Sequence, residues 1–212
     1  RVVYTGNPVR PDVLVDTRAD GRNYFNLSDD TFTVLIAGGS RGARTINNAM
    51  IDVHKHFQGT KGIKLIHITG DGEYKSVLSQ LGITDGDGLG DSSVILPYLH
   101  DMPKALAAAD LAVFRSGAIG LAELAVRGIP SVLVPYPYAA EDHQTYNARI
   151  FVQEGAAHMI VDQMLSAHDL IGEIEMFMAN RDLLSQMGER ALQLGKPNAA
   201  HDIAKLALSI AK

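Results

Sequence analysis

The sequence predicts an α/β protein built on a doubly wound parallel sheet. Two observations support this prediction: short apolar runs alternate along the whole chain with longer segments of helical periodicity, and glycine turns lead from several of these runs into helices. Strands that alternate with helices form parallel sheets covered by helices on both faces. The 212 residues, without internal repeats, are enough for one such domain with a sizeable core.

The apolar runs and their flanking signals give the order of the elements. Strands are predicted at 32–37, 63–69, 93–97, 111–114, 131–134 and 156–161. Helices are predicted at 43–57, up to 81, 102–109, 118–127, from near 143, 166–179, 181–194 and 198–211. Asp101 and the string SAHD at 166–169 provide capping patterns. Gly128 ends one helix, and Pro130 prevents its continuation.

The first thirty residues are interpreted separately from the alternating strands and helices. Residues 1–6 are interpreted as an entering strand, Pro8 suits the first turn of a short helix, and the polar segment 17–30 is interpreted as a surface connection. Because the chain starts with Arg1 and not with Met, we expect it to be a fragment of a longer protein, cut just before a second domain.

The composition limits the possible functions. The net charge of −5 argues against broad nucleic-acid binding. The absence of cysteine excludes disulfides and thiolate metal sites and is compatible with a reducing cytosol. The eight histidines show no metal-binding spacing, since His54 and His56 diverge on a helix and the others are scattered. No metal site is therefore predicted.

A ligand site is predicted where two neighbouring strands end. The turn 115–117 follows strand 111–114, and the loop 135–142 follows strand 131–134; each leads into a helix. Ligands bind at this edge of an open α/β sheet, and free amides beside Gly117 favour a phosphate. Glu123 follows about a turn and a half later and could accept hydrogen bonds from two ribose hydroxyls.

The glycine-rich turn after the first strong strand, at 38–42, is a second candidate for phosphate binding. Its glycines allow backbone amides to approach a phosphate closely, and Ser40 adds a hydroxyl. A nicotinamide site fits poorly, because the turn lacks the G-x-G-x-x-G pattern and no acidic residue ends the next strand about 20 residues on.

Three strings in order resemble the donor-binding half of the MurG family of GT-B glycosyltransferases: GNPVR at 6–10, AGGSRGARTIN at 37–47 and RSGAIGLAELAVRGIPSVLVPYPYAAEDHQTYNAR at 115–149. The resemblance covers nearly the whole chain. It implies a Rossmann-like domain, the C-terminal half of a GT-B enzyme, that binds UDP-N-acetylglucosamine without a metal or other cofactor. The reaction implied is inverting transfer of N-acetylglucosamine to lipid-linked muramyl pentapeptide, lipid I to lipid II, in peptidoglycan synthesis of the cell wall.

The resemblance also assigns residues. Donor binding is expected at Arg10, Ser40, Leu99, Ala118, Ile119, Gly120, Leu121, Ala122, Glu123 and Gln144. Further candidates are Gly39, Met102, Arg115, Gly117, His143 and Asn147. The backbone N–H and C=O of Leu99 are expected to bind the edge of uracil. Gln144, with its neighbours His143 and Asn147, is expected to bind the N-acetylglucosamine. Three of these residues have an alternative interpretation: Met102 as a core residue, Arg115 as a packing or interface residue, and His143 as a residue that caps the helix.

Two departures from the family pattern matter. Gly120 stands where the family usually has Thr, which removes a hydroxyl near the phosphates but keeps the amide. The glycine-rich loops and the histidine of the acceptor half are absent from this sequence, so no catalytic residue is assigned.

The resemblance implies that 1–212 is a single donor domain whose terminal helix, 198–212, contacts a missing N-terminal acceptor domain. The lipid-linked acceptor and the membrane surface would be reached only through the full-length protein, at the cytoplasmic face of the bacterial inner membrane. Three alternatives remain open: the donor half of another GT-B enzyme acting on a glycolipid, a separate half-transferase subunit, and a non-catalytic nucleotide-binding module.

Overall fold

The fold is a six-stranded parallel sheet with helices on both faces. The computed structural model describes residues 2–39, 42–84 and 89–211. Within these residues the strand order is β3-β2-β1-β4-β5-β6, and every pair is parallel. The strands are β1 (Phe32–Ala37), β2 (Ile63–Ile68), β3 (Ser93–Leu96), β4 (Leu111–Phe114), β5 (Ser131–Leu133) and β6 (Ala157–Met159). This confirms the predicted doubly wound sheet, whose order reverses between β1 and β4.

The helices lie between and after the strands. They are α1 (Pro11–Val15), α2 (Arg18–Tyr24), α3 (Arg44–Phe57), α4 (Asp71–Leu81), α5 (Met102–Ala108), α6 (Ala118–Arg127), α7 (His143–Gln153), α8 (Ala167–Ala179), α9 (Arg181–Leu194) and α10 (Ala199–Ile210). Short 3-10 turns occupy Ala140–Asp142 and Asp162–Met164. No helix among the described residues is both long and apolar enough to cross a bilayer.

Two apolar cores cover the two faces of the sheet. Alternate residues of β1 enter different cores: Leu35 packs with residues of α5, α6 and α7, and Ile36 with residues of α3 and α8. All six residues of β1 are buried. Burial on both faces explains why this strand reads as a continuous apolar run and not as an alternating one.

The prediction for the first thirty residues was wrong in three respects. The described residues 2–10 form neither strand nor helix, the first short helix begins at Pro11 and not near Pro8, and the predicted connection contains α2. A capping box starts α2: the Thr17 hydroxyl accepts from the amide of Asp20, whose carboxylate accepts from the Thr17 amide. The pattern T-x-x-D was therefore the local signal for this helix.

The two other capping predictions had different outcomes. Ser166 caps α8, because its hydroxyl accepts from the amide of Asp169. Asp101 precedes α5 but caps no amide with its side chain; its carboxylate instead accepts from the hydroxyl of Tyr24 at 3.2 Å. This contact with α2 was not predicted.

The terminal helix α10 packs little against the rest of the domain. Among its described residues only Ala199 is buried, and the apolar side chains of Ile203, Leu206 and Ile210 are exposed. Amides without packed neighbours open easily, so we expect weak hydrogen-exchange protection across 199–210 in the monomeric chain. Strong protection there in a proven monomer would contradict this expectation. The contact with an acceptor domain stays a prediction.

Candidate donor-binding site

A cavity of about 460 Å³ opens at the carboxyl edge of the sheet, on both sides of the point where the strand order reverses. Its walls come from the turns that follow β1, β2, β3 and β4 and from the first turns of α6. Ligands of open α/β sheets bind in this position. The location agrees with the site expected from the sequence.

The structure brings ten of the predicted donor-site residues together around this cavity. They are Arg10, Gly39, Leu99, Met102, Arg115, Gly117, Ile119, Gly120, Glu123 and Gln144. These residues come from five segments of the chain that are distant in sequence. Their individual roles toward a ligand stay predictions.

The remaining predicted residues lie elsewhere. A neighbouring cavity of about 130 Å³ on the other side of α6 is lined by Ala118, Leu121, Ala122 and Asn147. His143 lines neither of these two cavities. Ser40 lies outside the described residues. The prediction named the backbone amide for Ala118, which the position of its side chain does not address, whereas Leu121 and Ala122 lie away from the main cavity and the Leu121 amide is bonded to the carbonyl oxygen of Gly117.

The amino terminus of α6 is open toward the cavity. Gly117 is its N-cap residue, with extended backbone angles (φ −68°, ψ 145°), and no side chain of the described residues caps the first turn. A Cβ atom on Gly117 would meet no atom within 4 Å, so the space in front of the helix is free. Uncapped first-turn amides and the helix dipole together favour an anion at this point.

Gly120, the departure from the family pattern, has room for a side chain. A Cβ atom built on it would lie 3.5 Å from the ring of Phe114, which is an ordinary contact. A side chain would therefore fit at this position, and the glycine is not required by packing.

Glu123 is buried, and its carboxylate faces the same cavity. Its Oε1 atom lies 3.2 Å from Nη2 and 3.4 Å from Nε of Arg10, whose side chain is half exposed. Because the Arg10 side chain is half exposed, it can move into solvent when a ligand offers hydroxyl groups to the carboxylate.

Arg115 lines the cavity, but its guanidinium is already bonded. Nη1 donates to the carbonyl oxygens of Val134 and Pro135 at 3.0 Å and to the carboxylate of Asp162. Both charged side chains are almost fully buried. This geometry supports the packing alternative for Arg115, since its charge is balanced within the fold.

Asp162, which the sequence reasoning missed, lies outside the cavity wall but holds Arg115, one of its lining residues. Its second carboxylate oxygen accepts from the hydroxyl of Thr45 at 3.1 Å, in the first turn of α3. Asp162 thus connects the turn after β4 to the helix that follows the glycine-rich turn. The available signal was its place shortly after β6, at the same edge of the sheet as the ligand site.

The first turn of α7 is fixed to the turn after β4. The buried hydroxyl of Ser116 donates to the carbonyl oxygen of Gln144 at 2.8 Å, and Asn147 Nδ2 donates to the carbonyl oxygen of Ser116 at 3.1 Å. Gln144 Oε1 accepts from the amide of Tyr136 at 3.0 Å, which leaves its side-chain nitrogen as the donor. His143 Nδ1 donates to the carbonyl oxygen of Ala140, which is not a capping bond, and the N-cap position of α7 belongs to Asp142.

No metal centre emerges from the described residues, in which no three His, Cys, Asp or Glu side chains are grouped so that they could hold an ion. The cavity instead combines free amides, a buried carboxylate and an oriented side-chain amide. Such a set suits a ligand that carries both an anionic group and hydroxyl groups.

Comparisons with known proteins agree with this geometry. Residues 33–206 match the profile of the glycosyltransferase family 28 C-terminal domain. The chain is 41% identical over 206 residues to the UDP-N-acetylglucosamine--N-acetylmuramyl-(pentapeptide) pyrophosphoryl-undecaprenol N-acetylglucosamine transferase of Desulforamulus reducens, covering 96% of this chain and 55% of the relative. The enzyme of the same name from Desulfitobacterium hafniense is 41% identical over 211 residues, with 100% and 57% covered.

Solved structures show the same fold. The crystal structure of Acinetobacter baumannii MurG superposes with a TM-score of 0.73 at 28% identity, covering 93% of this chain and 55% of that one. The UDP-GlcNAc 2-epimerase of Neisseria meningitidis gives a TM-score of 0.60 at 12% identity, with 91% and 48% covered, and shows the fold alone. The chain spans about half the length of the relatives that it matches. Because the family profile covers most of the sequence, this chain belongs to the glycosyltransferase family 28 C-terminal domain family.

Proposed function

We propose that this chain is the donor-binding domain of a transferase that moves N-acetylglucosamine from UDP-N-acetylglucosamine to lipid-linked muramyl pentapeptide, with inversion, in peptidoglycan synthesis. The observation that carries the proposal is the cavity at the strand reversal, where the open amino terminus of α6 and the buried carboxylate of Glu123 face the same space. The printed names of the relatives at 41% identity support the choice of donor and acceptor.

The proposed nucleotide pose follows from the chemistry of the walls. The diphosphate lies before the first amides of α6 and near Gly39, the ribose hydroxyls donate to Glu123, and uracil meets the backbone at Leu99. Gln144 Nε2 then donates to an oxygen of the sugar. This order places each group of UDP-N-acetylglucosamine against a partner of complementary chemistry.

The proposed contribution to the reaction is stabilisation of the leaving group. Negative charge grows on the UDP diphosphate as the bond to the sugar breaks. Amides and a helix dipole that are already oriented toward this charge stabilise the transition state without reorganisation. No cofactor is required in this scheme, and the group that deprotonates the acceptor is not assigned to this chain.

The acceptor is proposed to bind a second domain, against which α10 packs. The full-length protein would then meet its lipid-linked substrate at the cytoplasmic face of the bacterial inner membrane, as a peripheral protein. Nucleic acid is not a proposed partner.

The test is binding and transfer with the 212-residue chain alone. We expect UDP and UDP-N-acetylglucosamine to bind in a calorimetric titration, because the sequence contains all three donor motifs. We expect no transfer to a lipid-linked muramyl acceptor, because no acceptor motif is present. Failure to bind either nucleotide would contradict the proposed function, and measurable turnover would contradict the assignment of the acceptor to another domain.

A further inference from the structure

Four buried polar side chains form a cluster beneath the donor cavity. Asn47 and His54 lie on α3, His67 on β2 and Ser93 at the start of β3, and each is at most 3% exposed. The described hydrogen bonds join them in a row. The distances are 2.9 Å from Ser93 Oγ to His54 Nδ1, 3.1 Å from His54 Nε2 to His67 Nδ1, and 3.0 Å from His67 Nε2 to Asn47 Oδ1.

The row has one consistent direction, which is set by its last member. Asn47 Nδ2 donates to the backbone carbonyl of Thr69 at 2.9 Å, and a carbonyl can only accept. Asn47 Oδ1 is then an acceptor, so His67 Nε2 carries the hydrogen and His67 Nδ1 accepts. By the same logic His54 Nε2 donates, His54 Nδ1 accepts, and the Ser93 hydroxyl donates.

Both imidazoles must be neutral for this arrangement. A second hydrogen on His67 would place two donors against each other, and a second hydrogen on His54 would reverse its bond with Ser93, whose hydroxyl would then accept. Burial lowers the pKa of His54 to about 4, and burial together with the neighbouring His54 lowers the pKa of His67 well below its usual value. The rings are therefore uncharged near neutral pH, as the hydrogen-bond direction requires.

The row ends at a wall of the donor cavity. Thr69 directly follows β2, and its neighbours Ile68 and Gly70 line the cavity. Gly42, at the end of the glycine-rich turn, packs so closely on the Thr69 carbonyl that a Cβ atom would lie 2.0 Å from that oxygen. The Gly42 amide in turn donates to the carbonyl oxygen of Gly39, another residue of the cavity wall.

We propose that His54 and His67 are positioning residues for the donor site, which act through Asn47 and the Thr69 carbonyl to hold the end of the glycine-rich turn. The row ties α3 to β2 and β3, so the walls that follow β1 and β2 keep a fixed separation. Neither ring contacts the cavity. The ligand of the cavity is taken from the proposed function, so the predicted effect on UDP binding rests on that proposal.

The hydrogen-bond direction can be tested on the unsubstituted chain. In ¹⁵N spectra of the histidine rings near neutral pH, His54 and His67 should both carry hydrogen on Nε2 and none on Nδ1. A scalar coupling should join His54 Nε2 to His67 Nδ1. A hydrogen on Nδ1 of either ring would overturn the proposed row, and this measurement does not depend on any ligand or variant.

The positioning role is tested by one variant that cuts the row and one that removes a buried hydroxyl outside it. His67→Leu breaks the row in the middle, and Ser92→Ala removes a buried hydroxyl that has no hydrogen-bond partner among the described residues. We expect His67→Leu to speed exchange of the Gly42 amide about tenfold and to weaken UDP binding by a similar factor, because Asn47 loses the donor that orients its amide toward the Thr69 carbonyl. Ser92→Ala should change both by less than about twofold.

Equal effects of the two variants on Gly42 exchange, or none, would overturn the positioning role. The exchange readout separates this inference from the proposed function. If Gly42 responds as expected while the unsubstituted chain fails to bind UDP, the row stands and the assigned ligand is wrong.

Discussion

Replacing Glu123 by alanine should weaken UDP binding about tenfold to hundredfold while the fold stays intact. Glu123 is buried on α6 about a turn and a half beyond the open helix start, so a diphosphate at Gly117 places the ribose over its carboxylate. Hydrogen bonds from hydroxyls to a charged acceptor contribute roughly 1.5–3 kcal/mol. Calorimetric titration of both proteins with UDP measures the loss.

The control for this prediction is a change in the ligand. The unsubstituted chain should prefer UDP over 2′-deoxy-UDP, and Glu123→Ala should lose much of this preference. Glu154→Ala, at an exposed carboxylate following α7, should leave the affinity unchanged. Equal discrimination by both proteins would show that Glu123 does not read the ribose and that the proposed nucleotide pose is wrong.

Substituting Gly42 by alanine should have the largest effect of any change outside direct ligand contact. Gly42 has a positive φ of +73°, and its new Cβ atom would lie 2.0 Å from the carbonyl oxygen of Thr69. Backbone on both sides of this contact has to move. We expect the free energy of unfolding to fall by about 3 kcal/mol or more, or UDP affinity to fall more than about tenfold.

A matched control separates the clash from the backbone strain. Gly59 has a similar φ of +76°, but a Cβ atom there would meet nothing within 4 Å. Gly59→Ala should therefore cost only about 1–2 kcal/mol of stability and leave UDP binding unchanged. Urea unfolding and UDP titration of both variants provide the comparison. Similar losses in both would show that the contact between Gly42 and Thr69 is not important.

The elements of the sheet could be predicted because their signals are local. Each strand is a short apolar run, and the helix α6 is bounded by Gly117 and Gly128, so the predicted bounds 118–127 agree with the structure. The entering strand was predicted from the same kind of signal and was wrong. Val2 and Tyr4 are apolar but 98% and 81% exposed, because no sheet neighbour accepts them. The helix α2 was missed because it has seven residues and a mostly polar sequence.

In the candidate site, too, residues with local sequence signals could be predicted and residues that meet only through the fold could not. Glycine turns and a carboxylate at a fixed helical distance lie within one segment, so the positions of Gly117 and Glu123 could be inferred from spacing. The contact between Arg115 and Asp162 joins residues 47 positions apart, and it depends on β6 lying beside β5. Sequence spacing alone carries no information about such a contact.

The histidines illustrate the limit most clearly. The prediction that His54 and His56 diverge on the helix is confirmed: His54 is buried, and His56 lies at the surface beside Glu175. The partner of His54 is His67 on β2, and their meeting requires the packing of α3 against the sheet. A scattered distribution in sequence therefore could not reveal that two of the histidines share a hydrogen bond.

The central claim, that this cavity binds a UDP-sugar, is tested most directly by mapping UDP-N-acetylglucosamine on the amide signals of the chain. We predict that the shifted signals cluster at Gly39, Gly70, Leu99, residues 117–123 and the region of Gln144, and that UDP alone shifts all of these except the region of Gln144. Shifts confined to the cavity beside Arg44 and Asp52, or no saturable shifts, would contradict the account.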